Sequence, residues 1–311
     1  MSSLPSYGKI ADTRPAWIQQ LAAFGRLLKR DKGGVFGMLV LILLVFCSVF
    51  AKQITRYDPS LQNLREGKTP PAWFPKGSGK VTPSWSHPLG TDPLGRDLLT
   101  RIIYGSRVSL TVGVLGVLLA STLGMTIGML AGYLGGRVDD IIVNITNIMM
   151  GIPYLLLVVV IAAVLGRSLI NVILIFGITD APVFVRVTRS VVLRARECGY
   201  VEAAVSIGAK TWRILFDQIL PNLVGPIITL GTLEMSNLIF AEAGLGFLGL
   251  SVPPSVPSWG NMLNAAREYI VSYPWMAMWP GFSIMITAVG MNLMGDWLRD
   301  IMDPRLRRAR R

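Results

Sequence analysis

Few side chains in this sequence have types and spacings that do chemistry. Residues 76–80 read KGSGK, a glycine-rich run with lysines of the kind that cradles phosphates. A phosphate loop ending on this Gly-Lys pair requires Gly at position 74 and Ser or Thr at 81. Those positions hold Phe74 and Val81, so the pattern fails twice. His87 is the single histidine and reads as a loop residue with no obvious partner in sequence. Cys47 and Cys198 are the two cysteines, and no Cys or His cluster has metal-ligand spacing. There is no H-E-x-x-H and no G-x-S-x-G, so neither a cofactor nor a catalytic centre is expected. The acids inside apolar stretches are Asp180, Glu234 and Glu242, with Asp139 and Asp140 at the edge of one. Ionisable groups are costly in hydrocarbon and mark pathways or interhelical contacts. These read as scattered acids and not as a proton relay, and Glu242 reads equally as lying near a wetted outer mouth.

The elements that must position these residues are set by composition. Of 311 residues 52% are hydrophobic and only 15% charged, against about 25% charged in a soluble domain. The net charge of +12 does not point to nucleic acid. Its Lys and Arg residues sit in the tails and between apolar runs, as at the inner face of a membrane protein, and not along a basic helix or groove.

A hydrocarbon core about 30 Å thick takes roughly 20 apolar residues in a helix. Six stretches qualify or nearly so: 34–52, 106–134, 140–165, 168–188, 222–250 and 278–298. The first follows the basic run RLLKRDK and reads as an uncleaved anchor, since a signal peptide's apolar core is shorter and begins sooner. The expected fold is therefore an all-α polytopic membrane protein with six transmembrane helices. An even number of spans puts the basic tails and the basic segment 186–213 on one side, which makes that side cytoplasmic. Cys47 and Cys198 then lie in different compartments and cannot pair. The segment 52–105 also carries Lys and Arg yet falls outside, and its Pro and Gly content predicts an irregular lobe. The end of that segment, LGRDLLTRIIYGSRVSL, has Leu98, Ile102 and Ile103 at helical spacing and predicts an amphipathic interfacial helix. Gly124 and Gly128 fit a small-residue helix contact. The Pro- and Trp-rich stretch 251–277 suits an interfacial lip.

One polar stretch remains, YVEAAVSIGAKTWRILFDQILPN at 200–222. On a continuous helix Val201, Val205, Gly208, Trp212 and Leu215 form one apolar stripe, with Ala203 and Ala204 leaving a slim surface beside Glu202. Gly208 permits a bend or a close contact that a Cβ would block. Leu220-Pro221 ends the stretch, and Pro suits the first turn of the next span. Two readings fit the periodicity equally: a short helix pair docking into a partner's groove, or an amphipathic helix lying on the bilayer.

The spacing of Glu202-Ala203-Ala204, Gly208 and Leu220-Pro221 resembles the E-A-A-x3-G-x9-I-x-L-P signature of ABC-importer permeases, with Gln218 at the signature's Ile position. The stretches at 87–110 (HPLGTDPLGRDLLTRIIYGSRVSL), 242–263 (EAGLGFLGLSVPPSVPSWGNML) and 292–305 (NLMGDWLRDIMDPR) resemble the second permease subunit of the dipeptide/oligopeptide (also nickel) importers. Asp180-Ala181-Pro182 departs from that pattern, where a Trp is expected just before the Pro. The resemblance implies the type I ABC-importer permease fold and half of a translocation pathway for di- or oligopeptides. It implies a heterodimer with a homologous permease subunit, two cytoplasmic ATPase subunits beneath, and a periplasmic solute-binding protein above. Glu202, Ala203, Ala204 and Gly208 would form the ATPase-coupling helix, with ATP hydrolysed on other chains. The implied location is the bacterial inner membrane, multi-pass in the lipid bilayer, with both termini cytoplasmic.

The resulting organisation is a cytoplasmic tail at 1–33, a first transmembrane helix at 34–52, and a periplasmic lobe with interfacial helix at 53–105. A permease core of five transmembrane helices at 106–298 follows, with the coupling loop at 189–221, and a cytoplasmic basic tail at 299–311. A stand-alone ion-coupled transporter would instead call for paired broken helices and a midplane ionic site, neither evident in sequence. A membrane-embedded enzyme lacks any catalytic constellation.

Overall fold

The structure is a computed structural model that describes residues 31–74 and 83–302. The KGSGK run at 76–80 and the tails 1–30 and 303–311 lie outside the described residues. Among the described residues five helices are long and apolar enough to cross a membrane, or six when a pair bent by 90° is counted as one broken span.

Helix α1, Lys32–Ile54, covers the first expected span and starts where the Asp31 carboxylate caps the amides of Gly33 (2.9 Å) and Gly34 (3.2 Å). Helix α2, Leu98–Leu134, runs 37 residues without interruption from its N-cap Asp97, which accepts from the Thr100 amide at 2.8 Å. The expected interfacial helix is thus the opening turns of the second span itself. No proline separates the two parts. At ~1.5 Å per residue α2 is about 55 Å long, well beyond a core of about 30 Å.

The third expected span, 140–165, is broken. Helix α3, Gly136–Gly151, and helix α4, Tyr154–Leu165, meet at 90°. Pro153 supplies the cause: it disfavours helical geometry in the residue before it, and Ile152 is extended at φ −86°, ψ 133°. Helix α5, Leu169–Arg196, continues past the expected 168–188, ending on Arg194 and Arg196. Helix α6, Gly199–Ser206, is short, and α7, Thr211–Phe247, is a long helix with a π-helical turn at Ile214–Ile219. Helix α8, Trp259–Ala266, lies within the Pro- and Trp-rich stretch, and α9 spans Trp275–Met302.

The close pairing of α2 with α5 rests on the predicted small-residue contact. Gly124 packs directly on Phe184, and a Cβ on Gly128 would stand 2.7 Å from both Thr188 Cβ and the Val185 carbonyl. Gly132 continues the row against Val192. Helix α1 is seated on α9 in the same way, with Gly37 against Met294 and Gly290 against Val40. The outward face of α1 presents Leu39, Leu43, Phe46 and Phe50, a helical row left exposed by the other described residues, as a lipid-facing side requires.

The lobe between α1 and α2 is irregular among its described residues, with one 3₁₀ turn at Leu64–Glu66. His87 is a loop residue, as predicted, but it has partners that local sequence does not reveal. Its ring meets Asp97 at 2.9 Å and Glu66 at 3.3 Å and stacks on Tyr57. Asp92 binds the Arg96 side chain at 2.5 Å, and the buried Arg101 donates to the Pro59 carbonyl at 2.9 Å. The HPLGTDPLGRD stretch is therefore the clamp that mounts the lobe on the start of α2. At the same end Trp259 donates to the Ile102 carbonyl at 3.0 Å, and Asn261 ties down the carbonyls of Val252 and Pro253 at 3.1 Å each. This end is called the lobe end and the opposite one, carrying α6, the loop end. Cys47 and Cys198 are both free.

Candidate functional site

The loop end is built around α6 and the start of α7. Val201 anchors α6: it is 1% exposed and packs with Ile214, Leu215, Ile219, Leu223 and, from α5, Val192 and Ala195. A buried aliphatic side chain of this kind contributes about 1.5–3 kcal/mol, enough to hold a two-turn helix that would be unstable alone. Asn222 adds a hydrogen bond of 3.1 Å to the Tyr200 hydroxyl.

The spacing from Ala204 to Gly208 has a backbone explanation. Helix α6 ends in a Schellman cap: the Ala209 amide donates to the Ala204 carbonyl at 3.0 Å and the Gly208 amide to Val205 at 2.9 Å. That cap needs a left-handed residue, and Gly208 has φ +76°. A Cβ on Gly208 would meet nothing within 4 Å. Gly208 therefore makes the bend, and within the described residues nothing presses on it. The bend also dissolves the single stripe expected from Val201 to Leu215. Val201 and Leu215 are buried, whereas Val205 and Trp212 are exposed.

What the bend presents is a small projecting surface. Glu202 and Ala203 are exposed, Ala204 is half-buried, and around them stand Val205, Trp212 and Ile207, the last 85% exposed. Lys210 and Arg213 lie on its flank. Large apolar side chains amid charged ones mark a contact surface. The elements beneath are tied together: Arg189 of α5 forms a two-pronged ion pair with Asp139 of α3, and Arg196 donates to the Tyr133 carbonyl at 3.3 Å.

The π-helical turn accounts for Gln218. Within Ile214–Ile219 one residue more than usual is accommodated per turn, so side chains five apart return to one face. Ile214 and Ile219 are both buried, Ile219 completely, while Gln218 points outward. The apolar place adjoining Leu220 is filled by Ile219.

Residues 124–308 match the family of binding-protein-dependent transport system inner membrane components, 185 of the chain's 311 residues. The chain belongs to this family. Residues 20–71 of the permease also match the N-terminal TM domain of oligopeptide transport permease C. The permease is 41% identical, over 93% of both chains, to the di/tripeptide transport system permease protein of Pseudomonas aeruginosa. It is 40% identical to the dipeptide transport system permease protein of Escherichia coli, over 94% of this chain and 96% of that one. With the oligopeptide transport system permease protein of Bacillus subtilis the identity is 36% over 90% of this chain and 88% of the other. Among solved structures, the inward-facing MetNI methionine ABC transporter matches with a TM-score of 0.53 at 18% identity. That match covers 65% of this permease and 96% of that chain. Together with the helices, it establishes the all-α permease fold expected from sequence.

The remaining candidate acids part company. Glu242 does not lie in water: it is fully buried and accepts from the Ser251 hydroxyl at 2.8 Å, fastening α7 to the loop before α8. Asp139 is held by Arg189. Asp180 of α5 and Glu234 of α7, far apart in sequence, come together with Tyr154 of α4, a residue that sequence reasoning passed over.

Proposed function

We propose that this permease forms half of the translocation pathway of an ATP-driven ABC importer for di- or oligopeptides. The near-full-length similarity to permeases named for dipeptide and oligopeptide transport supports the substrate class. The observation that carries the mechanism is the projecting pair formed by α6 and the start of α7, anchored inward by Val201 and exposed outward through Glu202, Ala203, Val205 and Ile207.

In this reading Glu202, Ala203, Ala204 and Gly208 form the coupling helix, seated in a groove of one of two cytoplasmic ATPase subunits. ATP binding draws the ATPases together. The differential affinity of ATP for the closed pair is then what shifts the spans between inward- and outward-open states. Force on α6 reaches α5 and α7 through the core, because Val201 shares one buried cluster with Val192 and Ile219. A homologous permease subunit supplies the other half of the pathway, and a periplasmic solute-binding protein loads it at the lobe end. The basic tails and the coupling loop lie in the cytoplasm and the spans in the inner membrane, consistent with the placement of Lys and Arg.

Reconstitution tests this. Proteoliposomes holding the chain with its permease partner, the ATPases and the binding protein should accumulate labelled di- or oligopeptide only with ATP. The purified chain alone should hydrolyse none. Peptide uptake by the chain alone, without ATP and under an ion gradient, would overturn the reading in favour of a secondary transporter.

A further inference from the structure

Three helices bring polar groups to one depth of the bilayer. Glu234 lies 14 residues after Leu220 and 13 before Phe247 on α7, about 20 Å from each of them at ~1.5 Å per residue. Asp180 lies 11 residues from Leu169 on α5, about 17 Å below the lobe end. Val172 of α5 and Leu245 of α7, both near the lobe end, belong to one buried cluster. Tyr154 opens α4 directly after the 90° break.

These groups are short of partners. Asp180 is 5% exposed, and neither its Oδ2 nor the adjacent Tyr154 hydroxyl completes a hydrogen bond of ordinary geometry. Glu234 is half-buried, receives one bond of 3.0 Å from Asn237, and is close enough for its charge to act on both Asp180 and Tyr154. None of the described ion pairs includes Asp180 or Glu234. The neighbouring cations lie nearer the loop end and are engaged there, Arg189 with Asp139 and Arg186 with Asn147.

The surroundings show what these carboxyls face. Gly151, Ile152 and Pro153, the non-helical link beside Tyr154, are exposed, and so is Asn237. Open backbone and ionisable groups at membrane depth occur where protein or a water-filled cavity covers them, not against lipid. A broken helix next to a midplane charge is the arrangement by which transporters hold a charged solute. With two carboxyls and no counter-cation, the charge favoured here is positive.

We propose, resting on the import reading above, that Asp180 and Glu234, with the Tyr154 hydroxyl beside Asp180, form a passage site for a protonated side-chain amine, that of a lysine residue in the transported peptide. The amine donates to the two carboxyls as the peptide passes mid-membrane. Arg186, six residues further along α5 and about 9 Å nearer the loop end, presents the opposite charge to a carboxylate that follows.

The test is uptake by the reconstituted importer of Ala-Lys against Ala-Asp, each at a concentration that saturates the binding protein. The Asp180→Asn/Glu234→Gln double variant should lower the Ala-Lys to Ala-Asp uptake ratio about tenfold, the equivalent of about 1.4 kcal/mol. Glu234→Gln alone, at a half-buried position, should lower it in part, and Asp180→Glu should keep it. A ratio within twofold of wild type in the double variant, or an equal fall for both peptides, overturns the site while leaving the import reading intact. A wild-type importer that hydrolyses ATP yet takes up neither peptide overturns the import reading itself, and the site with it.

Discussion

Gly208 offers the sharpest test of how the loop end works. Its φ of +76° lies in the left-handed region, and the space around it is open to 4 Å. Substitution therefore costs conformational energy and not a clash within this chain. An L-residue in that region costs about 1–2 kcal/mol, which lowers the population of the bent form by a factor of about 5–30. The cost is highest for a β-branched residue and lowest for Asn, whose short polar side chain tolerates the left-handed region. Val201 and Ile214 remain buried on either side, so α6 keeps its anchor and the spans keep theirs. Gly208→Val is expected to cut ATP-driven peptide uptake about fivefold or more at equal amounts in the membrane, whereas Gly208→Asn stays within about twofold of wild type. Uptake is measured in proteoliposomes, and co-purification of the ATPases gives a second readout. Wild-type uptake by the Val variant would refute the coupling role. Equal loss in both variants would show that the site requires the absence of a Cβ against a partner and not the bend.

Further outcomes follow from the packing. Gly128→Leu should destabilise the chain by about 1–3 kcal/mol, through overpacking against the Val185 carbonyl and Thr188, whereas Gly281→Leu, with nothing within 4 Å, should leave the thermal midpoint in detergent unchanged. Ile219→Ala should cost about 2–5 kcal/mol because the side chain is fully buried. Gln218→Ile, although it restores the signature residue, should add no stability because position 218 faces outward; a raised thermal midpoint would contradict the π-turn explanation.

Hydropathy made the six spans legible, because about 20 consecutive apolar residues have no alternative in a bilayer. The Gly124–Gly128 contact was legible for a related reason: two missing side chains on one helical face serve little purpose except close approach. The spacing from Glu202 to Pro221 was also readable, since a Schellman cap is local and places its glycine a fixed distance after the helix. Other features were only half visible. Pro153 is plain in the sequence of the third span, but a 90° turn there is not, since its angle depends on what α3 and α4 each pack against. Gln218 looked like a defect because a π-helical turn changes which residue faces inward, and no local residue pattern announces that change.

By itself, then, the sequence determined the membrane, the number of crossings and the exposed loop, all of which follow from local composition and spacing. Tertiary structure decided which polar groups meet. His87 found Glu66 and Asp97 through the folding back of the lobe, and Glu242 found Ser251 through the seating of α8. Tyr154, Asp180 and Glu234 lie on three separate helices. Their meeting at one depth is set by helix packing, a long-range property for which no single stretch of sequence carries the information.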